Sequence, residues 1–288
     1  MLKKVLKGKS INRNKILYDN DYILYSTKNT DQDAQNKISI LLDQFKNKLS
    51  EKRETAQGKL PWYCLHWARD QKDFNEPKIL IRQTASNIIG VFDNDNYYSL
   101  DTLHTLNLKI EVNDKVTTLK FLLGILNSKL FKYLYHWKLD EGGKVYPQVK
   151  KVNIEWLPIP TLINDNLISI NIDQLLEINL KEEQSRVKFL TFLNSKFDSS
   201  ILNSKKLENW HELTFVEFIT ELNKVIKKAG QTQLNKKDEF EWLDLFEENK
   251  TKAQVLKSQV ETTEKAIDKM VYELYGLSEE EIKIVENC

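Results

Sequence analysis

Proline, glycine, cysteine and methionine are all scarce in this chain of 288 residues, with 5, 8, 2 and 2 copies. Two cysteines, Cys64 and Cys288, argue against a disulfide framework and make a reducing cytoplasm the expected compartment. No apolar run approaches the ~20 residues a membrane span needs, and the Lys-rich start lacks the apolar core of a signal peptide, so no membrane partner is expected. Catalytic signatures are missing as well. There is no glycine-rich phosphate loop ending in Gly-Lys-Ser/Thr, no strand-linked Gly-x-Gly-x-x-Gly and no Gly-x-Ser-x-Gly elbow. His66, His104, His136 and His211 are scattered without metal-ligand spacing, so neither a catalytic residue nor a metal ligand is assigned. The run Asp93-Asn94-Asp95-Asn96 suits a divalent metal or, equally in residue type, a turn between two strands. Cys64, set among aromatic residues, is expected to be a small buried hydrophobe.

Charge is abundant, at 30% of residues, and unevenly placed. Residues 1–160 hold 26 Lys/Arg against 18 Asp/Glu, a net of +8; residues 161–288 hold 17 against 24, a net of −7, and the two sum to the chain's +1. The electrostatic footprint of nucleic-acid binding is regional, so the first part can attract a polyanion that the second repels.

The same position divides the secondary-structure signals. Short β-branched or aromatic runs at Tyr22–Tyr25, Trp62–Trp67, Lys78–Arg82, Ile88–Phe92 and Tyr97–Leu100 are broken by Asn, Asp, Gly and Pro, as strands are. Ile38, Leu41, Leu42, Phe45 and Leu49 fall at helical spacing and predict one amphipathic helix over about 35–54. After Thr117–Thr118 a second helix carries Phe121, Leu122, Ile125, Leu126 and Leu130 on more than one face, which predicts burial. Beyond Pro160 no proline recurs. Thr214 with Glu217 reads as a capping box before the stripe Phe215, Phe218, Ile219, Leu222 and Ile226. A longer stripe through Leu256, Val260, Thr263, Ile267, Val271 and Leu274 stops at Gly276, and Ser278 with Glu281 opens a last helix. The expected fold is α+β: a mixed strand and helix domain over 1–160, then an all-helical domain over 161–288, with the boundary in the Asn, Asp and Ser cluster near 161–172.

Binding chemistry concentrates in the first part. It holds four of the five arginines, interleaved with Trp62, Tyr63, Trp67, Tyr97, Tyr98 and Tyr146. The stretch EGGKVYPQVKKVNIEWLPIP (141–160) sets a flexible basic loop against a proline-bracketed exit. Arg reads guanine bidentately and Gln or Asn reads adenine, whereas Lys mainly contacts phosphate. Gly142 and Gly143 allow close backbone approach; Lys144, Lys150 and Lys151 suit phosphates; Tyr146 and Gln148 suit base edges. A solvated surface hairpin has the same composition.

Seven segments taken in order add a resemblance: LKGKSINR (6–13), ILLDQFKNKLSEKRET (40–55), WYCLHWARD (62–70), PKILIRQTA (77–85), LLGILNSKLFKYLY (122–135), GGKVYPQVKKVNIEWLPIP (142–160) and IDKMVYELYGLSEEEIKIVE (267–286). Together they resemble the TaqI-like specificity domain found C-terminal to the catalytic region of type IIG restriction–modification enzymes and related adenine-specific DNA methyltransferases. The resemblance implies a target recognition domain over 1–160 and a helical spacer or docking domain over 161–288. It implies double-stranded DNA as partner, together with methyltransferase and nuclease domains supplied in cis or in trans. S-adenosylmethionine and Mg²⁺ are then expected only in those catalytic domains. The family's Asn-Pro-Pro-Tyr/Phe motif is not found in this sequence, which implies an excised or separately encoded specificity part. The DNA-binding candidates are Arg53, Lys59, Arg69, Lys78, Arg82, Gln83, Lys144, Tyr146, Gln148, Lys150 and Lys151. A helical adaptor that binds protein is the rival reading, and a metal-dependent nuclease using Asp93 and Asp95 is a third.

Overall fold

A computed structural model of the chain describes residues 2–109, 111–139, 147–160, 166–197 and 204–287. Two compact units divide it: Met1–Ser169 together with Gly276–Cys288, and Ile170–Tyr275. The sequence reading placed the whole of 161–288 in one helical domain; in the structure the last segment belongs with the first unit instead.

Along the chain, β1 (Leu2–Leu6), β2 (Ile11–Asn12), β3 (Lys15–Ile16) and β4 (Tyr22–Leu24) come first. Short helices α1 (Gln32–Leu41), α2 (Lys46–Ser50), α3 (Arg53–Ala56) and α4 (Gln71–Asn75) follow. Next are β5 (Lys78–Arg82), β6 (Gly90–Asp93), β7 (Tyr98–Ser99) and β8 (Leu103–Leu106). Then come α5 (Lys115–Leu126), α6 (Lys129–Leu139) and α7 (Lys151–Glu155). The rest is helical: α8 (Asn166–Phe197), α9 (Lys205–Glu208), α10 (Phe215–Lys228), α11 (Lys236–Leu274) and α12 (Glu279–Glu286). The fold is α+β, with the strands in the first part and helices after it.

The first unit is built around β5. It pairs antiparallel with β6 on one side and β8 on the other, and Ile79, Leu80 and Ile81 are all buried. A strand buried on both faces reads as a continuous apolar run, which is why KILIR was recognisable. Helix α5 packs on β5 and β6, and its LKFLLGIL segment is apolar nearly all round because almost all of it is covered. A second sheet, ordered β4-β1-β7, joins the same body through Val5, Tyr25, Phe74 and Tyr98, with Phe74 and Tyr98 stacked at 4.4 Å.

One buried amide ties three elements together. Asn127, which caps α5, accepts from Gly90 N–H at 2.9 Å and donates to Gly90 C=O at 2.9 Å and to Asn14 Oδ1 at 2.6 Å. A Cβ on Gly90 would sit 3.0 Å from Leu123 Cδ1, so a larger residue here would have to displace that buried side chain by a few tenths of an ångström. The Asn of the LNSK segment therefore locks the β2–β3 turn, β6 and α5, and its two faces of hydrogen bonding explain why an amide stands there.

The second unit is a helical bundle. Its core is formed by Phe189, Leu190 and Leu193 of α8, Leu207 of α9, Trp210, and Phe218, Leu222 and Ile226 of α10 with Phe246 of α11. Phe218 and Phe246 stack at 4.6 Å, and Phe189 meets Trp210 at 4.1 Å. The Thr214–Glu217 and Ser278–Glu281 capping boxes are both formed, and Gly276 takes φ +65° just past α11. No described helix is long and apolar enough to cross a membrane.

Three elements differ from expectation. The single helix over 35–54 is broken into α1, a 3-10 turn at Asp43–Phe45, α2 and α3, leaving Ile40 and Leu41 exposed. The aromatic run 62–67 is a string of turns, closed by Cys64 N–H to Pro61 C=O at 3.0 Å and by a left-handed Trp67. Helix α11 begins 20 residues before the stripe at Leu256 that announced it.

Candidate nucleic-acid interface

The C-terminal end of β5 is where four sequence candidates, Arg82, Gln83, Gln148 and Lys150, meet. Arg82 closes the strand, and Gln83 follows with its N–H on Thr102 C=O at 3.0 Å. Gln83 C=O then accepts from Val149 N–H at 2.7 Å, so the Pro147–Lys150 segment lies along the end of the sheet. His104 of β8 fixes the same segment through Nε2 to Val149 C=O at 2.7 Å, and the Tyr135 hydroxyl donates to Gln148 C=O at 3.3 Å. His136 of α6 meets the Asn87 amide oxygen on the β5–β6 loop. Val149 is fully buried while Gln148 and Lys150 on either side are exposed, the alternation of an extended segment docked on one face. Arg82 is partly exposed, and its Nε is buried without a hydrogen-bond partner among the described residues.

From Lys150 the chain enters α7, which with α4 and β8 borders a cleft of about 850 Å³. Arg69, Lys72, Lys109, Lys115 and Lys151 line it, but so do Asp73, Glu76, Glu111 and Glu155. Lys115 pairs with Glu76 at 3.3 Å, and Lys151 with Glu155 at 3.5 Å. Exposed pairs like Lys151–Glu155 contribute ~0–1 kcal/mol, so a phosphate can compete for the lysine. The cleft is thus a mixed-charge surface and not a continuous basic groove.

Two candidates have other duties. Lys78 is fully buried: Nζ lies 2.6 Å from Asp93 Oδ2 and donates to Phe74 C=O at 2.6 Å. It cannot reach a phosphate, which corrects its assignment to DNA contact. Its partner Asp93 also accepts from Asp95 N–H at 2.8 Å and Tyr97 N–H at 3.1 Å, so the Asp93–Asn96 run is a turn organised by a buried ion pair. Among the described residues no group of three or more His, Cys, Asp or Glu is placed to hold a metal. Arg69 is a clamp: its guanidinium donates to Ser99 Oγ at 3.0 Å, Thr105 Oγ1 at 3.3 Å and Leu103 C=O at 3.3 Å, joining its loop to β7 and β8.

Arg53 and Lys59 lie apart from the β5 end, exposed on α3 and the turn after it. Lys144 and Tyr146 fall outside the described residues. The sequence reading missed His104 and Asn87, whose roles depend on pairing across the sheet, and the cleft cations Lys109 and Lys115. It also read Cys64 as a small buried hydrophobe; the thiol is buried, 3.9 Å from Ser26 Oγ, and burial pushes its pKa up.

Comparison with known proteins gives two family matches. Residues 162–271 match a domain of unknown function, DUF8810, and residues 3–159 match the TaqI-like C-terminal specificity domain. No curated protein matches. Among solved structures, the Type IIL restriction-modification enzyme MmeI in complex with DNA is similar at 12% identity and a TM-score of 0.37, over 88% of this chain and 31% of that one. The chain therefore spans about a third of that protein's length. With more than half of its residues inside the specificity-domain match, the chain belongs to the TaqI-like C-terminal specificity domain family.

Proposed function

We propose that this chain is the DNA-recognition part of a restriction–modification enzyme of type IIG character. In this reading the first unit docks on duplex DNA and places one adenine beside a methyltransferase domain, which extrudes and methylates it. The observation that carries the proposal is the specificity-domain match over residues 3–159. The β5 end supports it, since Arg82, Gln148 and Lys150 present one guanidinium, one amide and one ammonium around a rigidly pinned Val149. Lys150, Lys151, Arg53 and Lys59 are assigned to phosphates, and Arg82, Gln83 and Gln148 to base edges. The helical unit is assigned to spacing and docking against the catalytic domains, in cis or in trans, in line with its 16 Lys/Arg against 19 Asp/Glu over residues 170–275. S-adenosylmethionine and Mg²⁺ chemistry is assigned to those separate domains.

This division of labour makes a direct prediction. Incubated with duplex DNA, labelled S-adenosylmethionine and Mg²⁺, the 288-residue chain should neither incorporate methyl groups nor cut the duplex. Incorporation above a protein-free control would overturn the specificity-only assignment.

A further inference from the structure

The WYCLHWARD loop presents a side chain that the fold itself does not use. Trp67 is 85% exposed, and its backbone sits at φ +52°. A bulky residue in the left-handed region is a conformational outlier, and such strain persists only where the surroundings over-determine it, often at ligand clamps. Here they do so from both sides. Before Trp67, Cys64 is buried, Leu65 N–H donates to Ser26 C=O at 2.8 Å, and His66 is held between the Glu54 carboxylate and Thr55 Oγ1. After it, the Arg69 carbonyl accepts from the Tyr25 hydroxyl while the guanidinium grips β7 and β8. With residues 66 and 69 both fixed, the backbone between them has little room to relax, and the indole is held out in water.

The flank of this indole is basic. The His66–Glu54 contact brings the α3 turn, with exposed Arg53 and Lys59, to the Trp67 loop and occupies the Glu54 carboxylate in doing so. Asp70, the acid at the end of the loop, is exposed, and its carboxylate caps α4, accepting from Lys72 N–H at 3.0 Å. An exposed ring flanked by cations matches a base face flanked by phosphates. In an intact duplex base faces are covered, so an indole can stack only where a step is opened or a base is extrahelical.

We infer that Trp67 stacks on a nucleobase at an opened step of the bound duplex, with Arg53 and Lys59 on the neighbouring phosphates. The inference rests on the DNA-recognition reading and deepens it by naming the residue that meets the unstacked base. The test uses the 288-residue chain and duplexes carrying 2-aminopurine at successive positions, whose fluorescence rises on unstacking. Wild type should brighten the probe at one position, the base that loses its neighbour at the opened step without gaining the indole. Trp67→Gly should abolish that signal and weaken duplex binding roughly tenfold. Its unfolding midpoint should match or exceed wild type, because glycine adopts positive φ without steric cost. Trp67→Phe should retain part of the signal. Wild-type affinity and an unchanged fluorescence pattern in Trp67→Gly would overturn the inference while leaving DNA recognition standing. A wild-type chain that bound no duplex at any salt concentration would remove both.

Discussion

Lys78→Ala is expected to destabilise the first unit by about 3–5 kcal/mol, the usual cost of leaving one member of a buried ion pair alone. The variant strands Asp93 and the Phe74 carbonyl in a site from which water is excluded, since both Lys78 and Asp93 side chains are 0% exposed. Denaturant unfolding of wild type and variant measures the loss. Its pH dependence gives a second readout. Burial pushes the Asp93 carboxyl above its ordinary value, and Lys78 is the main influence pulling it back. Without Lys78 the carboxyl rises further. An acid whose pKa is higher folded than unfolded binds more protons in the folded state, so stability falls as pH rises through that interval. The deficit of Lys78→Ala should therefore shrink as pH is lowered toward the ordinary carboxylate range of about 4. A surface lysine engaged with phosphate would show neither effect, and a loss below about 0.5 kcal/mol would mean that the buried pair is misassigned.

Arg82→Ala is expected to lower affinity for the cognate duplex by about 1–3 kcal/mol and to relax preference at one base pair. The side chain is set at the end of the buried run Lys78–Ile81, and its buried Nε has no hydrogen-bond partner among the described residues. Arg82→Lys should behave almost like the alanine variant in base preference, because an ammonium cannot reproduce the planar fork of a guanidinium. Lys150→Ala provides the contrast. It should weaken binding to all sequences alike and reduce the salt slope by about one. Competition against single-base variants of the site separates the two behaviours. Identical profiles for Arg82→Ala and Lys150→Ala would mean that neither residue reads sequence.

These residues also show what a sequence discloses. Signals confined to a few neighbours were legible: the Thr214–Glu217 and Ser278–Glu281 boxes, the glycine stop at Gly276 and the apolar run of β5 are each specified within one turn or one strand. Lys78 was not, because a lysine is read as exposed until Asp93, 15 residues later, is placed beside it by strand register. Arg69 misled for the same reason, its acceptors lying 30 and more residues away on β7 and β8. The Trp62–Trp67 run has the composition of a strand, yet Pro61 starts a turn and Trp67 is forced left-handed by contacts from Ser26, Glu54 and Tyr25. Helix α8 starts at Asn166, inside the Asn, Asp and Ser cluster that marks the expected domain boundary. Its Ile168, Ile172, Leu175, Phe189, Leu190 and Leu193 are buried while Leu167, Ile170 and Leu180 are exposed, a division that composition alone does not specify.

Duplex binding by this specificity domain through a few phosphate contacts, with bases read from the end of β5, can be tested by one titration. Affinity of the full chain for its preferred duplex and for scrambled duplexes is measured across a range of salt concentrations. With Arg53, Lys59, Lys150 and Lys151 on phosphates, log affinity should fall against log salt with a slope of about −3 to −4 for every duplex. One sequence should stand above the rest at each salt concentration. Binding that ignored salt would rule out the phosphate contacts, and binding that ranked all sequences equally would rule out the base reading.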